Sequence, residues 1–338
     1  MTDTPGPSVL TIARGRAGHL RNVLLGLTRQ TERPGELVVG VMQDEPYDLP
    51  DAPFPVRQVM VPPRADGLLP LAAARNAVAR AATGDVLIFL DVDCIPAPTL
   101  VADYRARAGS GGGLYMGEVA YLPGGAAAPG WRFDALERIA VKHSDRQGPP
   151  SDGIARCEDY RCFWSLNFAL HRDDFAGSGG FDERYVGYGG EDTDFGKGLV
   201  ARSIPLWWIA GAKVYHQYHP HAMPPIHHMD SVIANAERFR EKWGYRTMEH
   251  WLYAFELMGL IEKSGVWPDE AVRVLRRPDG ADEAMCRQDS HMPYANTTRV
   301  IRRLQEQREG RRLTDAEAVP AMRAAQKRLL GAPTLAAE

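Results

Sequence analysis

The chain has 338 residues, 44% of them hydrophobic and 25% charged, and its 40 Lys and Arg against 43 Asp and Glu leave a net charge of -3. That balance excludes a disordered chain and gives no reason to expect nucleic acid as a partner. The length exceeds the roughly 100 to 200 residues of one ordinary domain, so a large α/β domain with an appendage, or two domains, are both open.

Ser8 to Ala13 is a short apolar strand, and Leu20, Val23, Leu24 and Leu27 follow at helical spacing after the Arg14-Gly15-Arg16 loop. Glu36 to Met42 reads as the next strand after the Pro34-Gly35 turn, an opening typical of a parallel sheet. Val56 to Val61 predicts a short strand inside the proline-rich stretch from Pro50 to Pro63, and Leu71 to Ala82 an alanine-rich helix. The apolar strand from Asp85 then runs into Asp91-Val92-Asp93, with Cys94 to Pro98 read as a loop. Glycine-rich segments, Gly111 to Gly113 and Gly124 to Gly130, flank one strand near Leu114 to Tyr121. Trp164 to His171 reads as a buried strand, Gly179 to Glu183 as a turn, Asp192 to Arg202 as a helix, and Ile204 to Trp208 and Ala212 to His216 as further strands. Asp230 to Trp243 carries Val232, Ile233, Ala236, Phe239 and Trp243 on one stripe, which predicts an amphipathic helix. From Gly244 the sequence reads as helical and more charged, with Trp251 to Leu260 a helix packing on the main domain rather than a membrane anchor, and Arg302 to Arg312 a solvated helix face that a lipid-linked acceptor could bring near an anionic surface.

Cys94, Cys157, Cys162 and Cys286 lack a paired zinc spacing and read as reduced thiols. The first residues show no basic or apolar leader, and no run reaches the ~20 apolar residues that span a bilayer. The expectation is a soluble, cytoplasmic protein without a transmembrane segment.

Three stretches carry chemistry. Asp91 and Asp93 stand at the carboxyl end of a strand, where open α/β sheets bind ligands, and strand alternation places both on one face with Val92 in the core. A hard divalent cation, Mg²⁺ or Mn²⁺, would relieve their repulsion; a polar strand end is the plainer reading. Gly187-Tyr188-Gly189-Gly190 lets backbone approach a ligand closely, and Glu191, Asp192 and Asp194 then open a helix. Capping explains one of these carboxylates, and another is placed to act as a general base. Last comes a histidine-rich run of His216, His219 and His221, with His227 and His228. Histidine with the acidic pair makes a mixed nitrogen and oxygen set that suits Mn²⁺, while zinc on His216, His219 and His221 stays open.

These motifs, in order, are Arg14-Gly-Arg16, Ala74-Arg75-Asn76-Ala77 before Gly84-Asp85, Asp91-Val-Asp93-Cys-Ile-Pro96, Gly179-Gly-Phe-Asp-Glu183, Gly187-Tyr-Gly-Gly-Glu-Asp192 and Val214-Tyr-His216. Over about residues 8 to 245 the chain resembles metal-dependent glycosyltransferases of the GT-A fold, in the family 2 group and its galactosyltransferase-like relatives. The resemblance implies a GT-A (Rossmann-like) α/β fold: a central mixed, mostly parallel sheet flanked by helices in residues 1-245, with a helical C-terminal extension in 246-338. It implies Asp93 and His216 as ligands of Mn²⁺ or Mg²⁺, with His219 the alternative to His216, and Asp91 near the ribose or the metal's water. Asp192 would be the base and Glu191 would bind a sugar hydroxyl. Arg14, Asp44, Arg75 and Asn76 would line the nucleotide sugar, although a helix-surface role is also open for Asn76. Tyr188, Gly189, Gly190 and Trp164 would face donor or acceptor sugar, with Tyr188 standing where relatives often have tryptophan. Val41-Met42-Gln43-Asp44-Glu45 departs from the consecutive aspartates usual after the second strand, so the uracil contact falls to Asp44. The implied reaction is inverting transfer of a hexose or N-acetylhexosamine from a UDP-sugar to an acceptor hydroxyl, on a glycan, a lipid-linked sugar or a small molecule. A sugar nucleotidyltransferase and a non-catalytic nucleotide-sugar-binding module are the alternatives.

Overall fold

A computed structural model describes residues 6-143, 148-266, 269-288, 297-314 and 317. The chain divides into two compact units: the first runs to Val186 and resumes from Glu191 to His219, and the second takes Gly187–Gly190 and the chain from Pro220 onward. The expected boundary at 245/246 does not coincide with this division, because the stripe of the helix at 229-243 buries Val232 and Ala236 in the second unit's own core.

The first unit contains β1 (Ser8–Ala13), α1 (Ala17–Thr28), β2 (Glu36–Val41), β3 (Val56–Met60), α2 (Leu71–Ala81), β4 (Val86–Leu90), β5 (Cys94–Pro96), α3 (Leu100–Ala108), β6 (Leu114–Met116) and β7 (Val119–Tyr121). It continues with α4 (Phe133–Ile139), β8 (Val141–Lys142), β9 (Ile154–Arg156), β10 (Asn167–His171), α5 (Arg172–Ser178), α6 (Glu191–Ala201), β11 (Leu206–Ile209) and β12 (Val214–His216). An eight-stranded sheet runs in the order β3-β2-β1-β4-β10-β6-β11-β9. Strands β3, β2, β1 and β4 are parallel; β10 lies antiparallel between β4 and β6, β11 is parallel to β6, and β9 is antiparallel to β11. This is the mixed α/β sheet flanked by helices that the sequence predicts. Every residue of β1, β2 and β4 is buried, as expected of parallel strands covered on both faces. One core of the unit packs Leu10, Val38, Val78, Phe89, Phe168, Phe181, Phe195 and Trp208 together.

Two expectations fail here because partners distant in sequence decide the local structure. Cys94 to Pro98 is not all loop, since Cys94–Pro96 is a strand in a second sheet ordered β5-β12-β7-β8. Leu114 to Tyr121 is not one strand but two, the first in the large sheet and the second in the small one. The chain changes sheets at Gly117, where a β-carbon would collide with the Ala212 carbonyl oxygen and come within 2.8 Å of the Asn167 amide. Tyr104 fixes the crossing, accepting from Gly117 N at 2.9 Å and donating to Asn167 Oδ1 at 2.8 Å.

The second unit holds α7 (Met229–Trp243), α8 (Glu249–Leu257), β13 (Ile261–Ser264), β14 (Ala271–Val274), α9 (Gly280–Cys286) and α10 (Thr297–Glu309). The extension is therefore not wholly helical, because β13 and β14 pair as an antiparallel ribbon. Its core joins Val232 and Ala236 of α7, Leu252, Ala254 and Phe255 of α8, and Val300, Ile301 and Leu304 of α10. Among the described residues, no helix is long and apolar enough to cross a membrane.

Candidate functional site

Parallel pairing decides where the functional side chains gather. Because β1 and β4 are parallel neighbours, the loop after Ala13 and the segment after Leu90 leave the same edge of the sheet. Strand β2 ends there too, and Gln43 just beyond it accepts from Gly15 N at 2.8 Å. Tyr47 OH donates to Gly15 O at 2.7 Å, so the Arg14-Gly15-Arg16 loop is tied down from two sides.

Beyond β4 the chain turns at once, with Cys94 N donating to Asp91 O at 2.9 Å. Strand β4 ends at Leu90, so strand alternation does not set the directions of Asp91 and Asp93. Each acquires its own surroundings. Val92 stays in the core.

Asp93 is 4% exposed and is ion-paired to Arg16 through Oδ2. The small sheet pairs Cys94 with His216, which carries the histidine run to the residue beside Asp93. Gln217 N donates to Asp93 O at 2.7 Å and locks that register. As a result one ligand atom each of Asp93, His216 and His219 lies within 4.8 Å of the others. His216 and His219 are thus not alternatives but members of one cluster. The donor set is one carboxylate and two imidazoles, and Asp93 Oδ1 is buried with no hydrogen bond. Such an oxygen costs free energy unless a cation claims it, so the residues fit a divalent metal ion. Burial pushes the Asp93 carboxyl above the ordinary aspartate range, against the pull of Arg16 and His19. His19, in the first turn of α1, sits 3.8 Å from Asp93 Oδ1 and was not foreseen; only the fold brings it there.

Asp91 belongs to a second charged group. Arg75, on the buried face of α2, reaches Glu191 Oε1 at 3.0 Å and Asp91 Oδ1 at 3.4 Å, with its guanidinium over the Phe181 ring. Burial pushes Asp91 up to about 6 despite Arg75. Glu191 is 6% exposed and pairs one carboxylate oxygen, Oε1, with Arg75. Asp192, the next residue in the first turn of α6, accepts through Oδ1 from Thr193 N at 2.6 Å and from the Thr193 hydroxyl at 3.2 Å. Burial and the neighbouring Glu191 carboxylate push Asp192 up to about 7, against those bonds and the charge of Arg75. A small cavity lined by Thr11, Arg75, Phe89, Asp91 and Ser165 adjoins this group.

Other expected residues fall elsewhere. Asn76 is buried and donates to Phe181 O at 2.8 Å and Glu183 Oε1 at 2.9 Å, while accepting from Phe181 N at 2.9 Å. Its amide pins the Gly179-Glu183 turn, which corrects both the nucleotide-binding and the helix-surface readings. Asp44 and Arg14 are exposed near the sheet edge, and it is Arg16, not Arg14, that meets Asp93. Trp164 donates through Nε1 to Arg161 O at 2.9 Å and meets the His143 ring edge-on.

Tyr188, Gly189 and Gly190 group with the second unit. Tyr188 stacks on His228 with centroids 4.7 Å apart and on Trp251 at 5.7 Å. Ser231 Oγ accepts from Tyr188 N at 3.1 Å, and Asn235 Nδ2 donates to Gly189 O at 2.8 Å. Gly189 has φ 88°, and a β-carbon on it would lie 2.6 Å from Met248 Sδ, so glycine is required twice over.

The first unit is therefore an α/β sheet whose ligand edge carries a cation-competent carboxylate and histidine cluster beside a buried acidic group. Comparison with known proteins gives that class its relatives. Residues 64-120 match the model of glycosyl transferase family 2, and residues 154-220 match that of the N-terminal domain of galactosyltransferase. The chain is similar to validoxylamine A glucosyltransferase of Streptomyces hygroscopicus subsp. jinggangensis (strain 5008), 25% identical over 272 residues covering 68% of this chain and 58% of that protein. It is similar to its counterpart in subsp. limoneus at 25% identity over 272 residues, 68% of this chain and 54% of that one. The chain thus spans little more than half the length of these curated relatives. Among solved structures, GalNAc-T7 with UDP, GalNAc and Mn²⁺ matches with a TM-score of 0.46 at 16% identity, covering 65% of this chain and 45% of the other. S. aureus TarS matches with a TM-score of 0.43 at 13% identity, covering 75% and 43%.

Proposed function

We propose that this protein is a GT-A glycosyltransferase that uses a divalent metal to move a hexose or N-acetylhexosamine from a UDP-sugar to an acceptor hydroxyl, with inversion. The observation that carries the reading is the Asp93, His216 and His219 cluster at the ligand edge of the sheet, whose residues lie within the two segments that match glycosyltransferase family models. Asp93, His216 and His219 would hold Mn²⁺ or Mg²⁺, which when bound supplies positive charge for the leaving diphosphate. Asp192 would take the acceptor's proton. Thr193 fixes its Oδ1, so the proton falls on Oδ2, and a carboxyl raised to about 7 is matched to base catalysis near neutral pH. Arg75 keeps Asp91 and Glu191 from repelling each other at the mouth of α6. The four free thiols fit a reducing compartment such as the cytoplasm.

The test is UDP release from a panel of UDP-sugars with Mn²⁺ and mixed acceptors. UDP-glucose comes first, because the two curated relatives are named glucosyltransferases. Turnover is expected in the wild type, its loss in EDTA, and a drop of about 10² to 10⁴ in Asp192→Asn. Equal turnover in Asp192→Asn would remove Asp192 as the base. Indifference to EDTA would remove the metal.

A further inference from the structure

Resting on the cation-site reading above, we propose that Arg16 is the resident counter-cation of the Asp93, His216 and His219 cluster, displaced when a divalent metal binds and then free to grip the donor's diphosphate. The guanidinium touches two of the three ligand groups at once: Nη1 pairs with Asp93 Oδ2, and Nη2 lies 3.3 Å from His219 Nδ1. A guanidinium offers only donors and can never coordinate a cation, so while its positive charge sits against the Asp93 carboxylate and the His219 ring it opposes a metal ion at those same two groups.

The movement required is small and its extent is set by the loop. Gly15 is bonded through both N and O, to Gln43 and Tyr47, and Arg16 itself is held at φ 48°, ψ 34°, a region few side-chain-bearing residues adopt. The backbone is therefore over-determined, and displacement falls on the side chain, which is 39% exposed and has solvent to swing into. His19 stays on the other carboxylate oxygen, 3.8 Å from Oδ1, with its own ring 3.3 Å from Tyr218 O. A freed guanidinium beside a metal site suits a diphosphate, whose oxygens it can bind in bidentate fashion. Metal and nucleotide should consequently bind with positive coupling through one side chain.

The test is calorimetric titration of Mn²⁺ into the full chain, for the wild type, Arg16→Gln, Arg16→Lys and Asp93→Asn, with and without UDP. Arg16→Gln should bind Mn²⁺ alone about tenfold more tightly than wild type, and UDP about tenfold more weakly once Mn²⁺ is saturating, inside the usual 5- to 150-fold range of coupling. Arg16→Lys, which keeps the charge but not the fork, should fall between, and thermal melts of both variants establish that they fold. Unchanged or weaker Mn²⁺ binding in folded Arg16→Gln overturns the displacement; unchanged UDP binding overturns the diphosphate role. If the wild type binds Mn²⁺, Asp93→Asn does not, and both Arg16 variants match the wild type, the cation site stands and this proposal alone falls. If no form binds Mn²⁺, the cation-site reading falls with it.

Discussion

At the scale of single residues, the site is built from charges that the fold places at some cost. Asp192, at about 7, holds a proton in the folded chain at pH values where the unfolded chain has lost it. Its contribution to stability is full below the ordinary aspartate range near pH 4 and is lost as pH rises through 7. Asp192→Asn should therefore stabilise the protein at pH 8, by an amount on the order of 2 kcal/mol once partial exposure is allowed for, and leave stability at pH 4 nearly unchanged. Denaturant titration at the two pH values measures both. The proposed role as base gives this carboxyl a kinetic signature as well, since a base must be unprotonated: kcat/KM should climb tenfold per pH unit up to about pH 7 and then level off. Arg75 offers the opposite experiment. Arg75→Met leaves Asp91 and Glu191 buried without their shared cation, and urea melts at pH 7 should show a loss of about 3 to 5 kcal/mol. Part of that loss should return near pH 5, where Asp91, already raised to about 6, takes up a proton. Asp93 and Asp192 could be picked out in the sequence because acidic residues at a strand end and at a helix start are local patterns. Arg16 and His19 could not, since nothing local ties them to a residue about 75 positions away.

At the scale of elements, the long apolar strands and the amphipathic helix were legible because periodicity and burial agree in them. Short pieces were not. Cys94–Pro96 has three residues and one strand partner, β12, far along the chain, so no local signal separates it from a proline-rich loop. The break at Gly117 is of the same kind, a glycine required by a carbonyl that arrives from residue 212. Gly117→Ala should therefore be costly although alanine is small: overpacking of about 1 to 3 kcal/mol is expected, with weakened Mn²⁺ binding because β7 flanks the strand that carries His216. Thermal melts and metal titration of the one variant check both effects. Tyr104→Phe removes the hydroxyl that Gly117 and Asn167 share and should cost about 1 to 3 kcal/mol without changing any residue near the ligands.

At the scale of the whole molecule, the two units have separate cores, so damage to one can be read apart from the other. Phe255, fully buried among the helices of the second unit, should cost about 3 to 5 kcal/mol when cut to alanine. Hydrogen exchange should then quicken in α8 and α10 while the amides of β1, β2 and β4 keep their protection. The position of the division at residue 219 was not legible, because a covalently continuous chain gives no sign of which core α7 will join. The pairing of Cys94 with His216 has one more consequence. Side chains alternate with the register, so a slip of one residue between β5 and β12 would turn His216 away from Asp93 altogether. A bound ion would thus act as a rivet across two of the shortest strands in the molecule, and resistance of that edge to proteolysis should rise with Mn²⁺ and fall with a chelator.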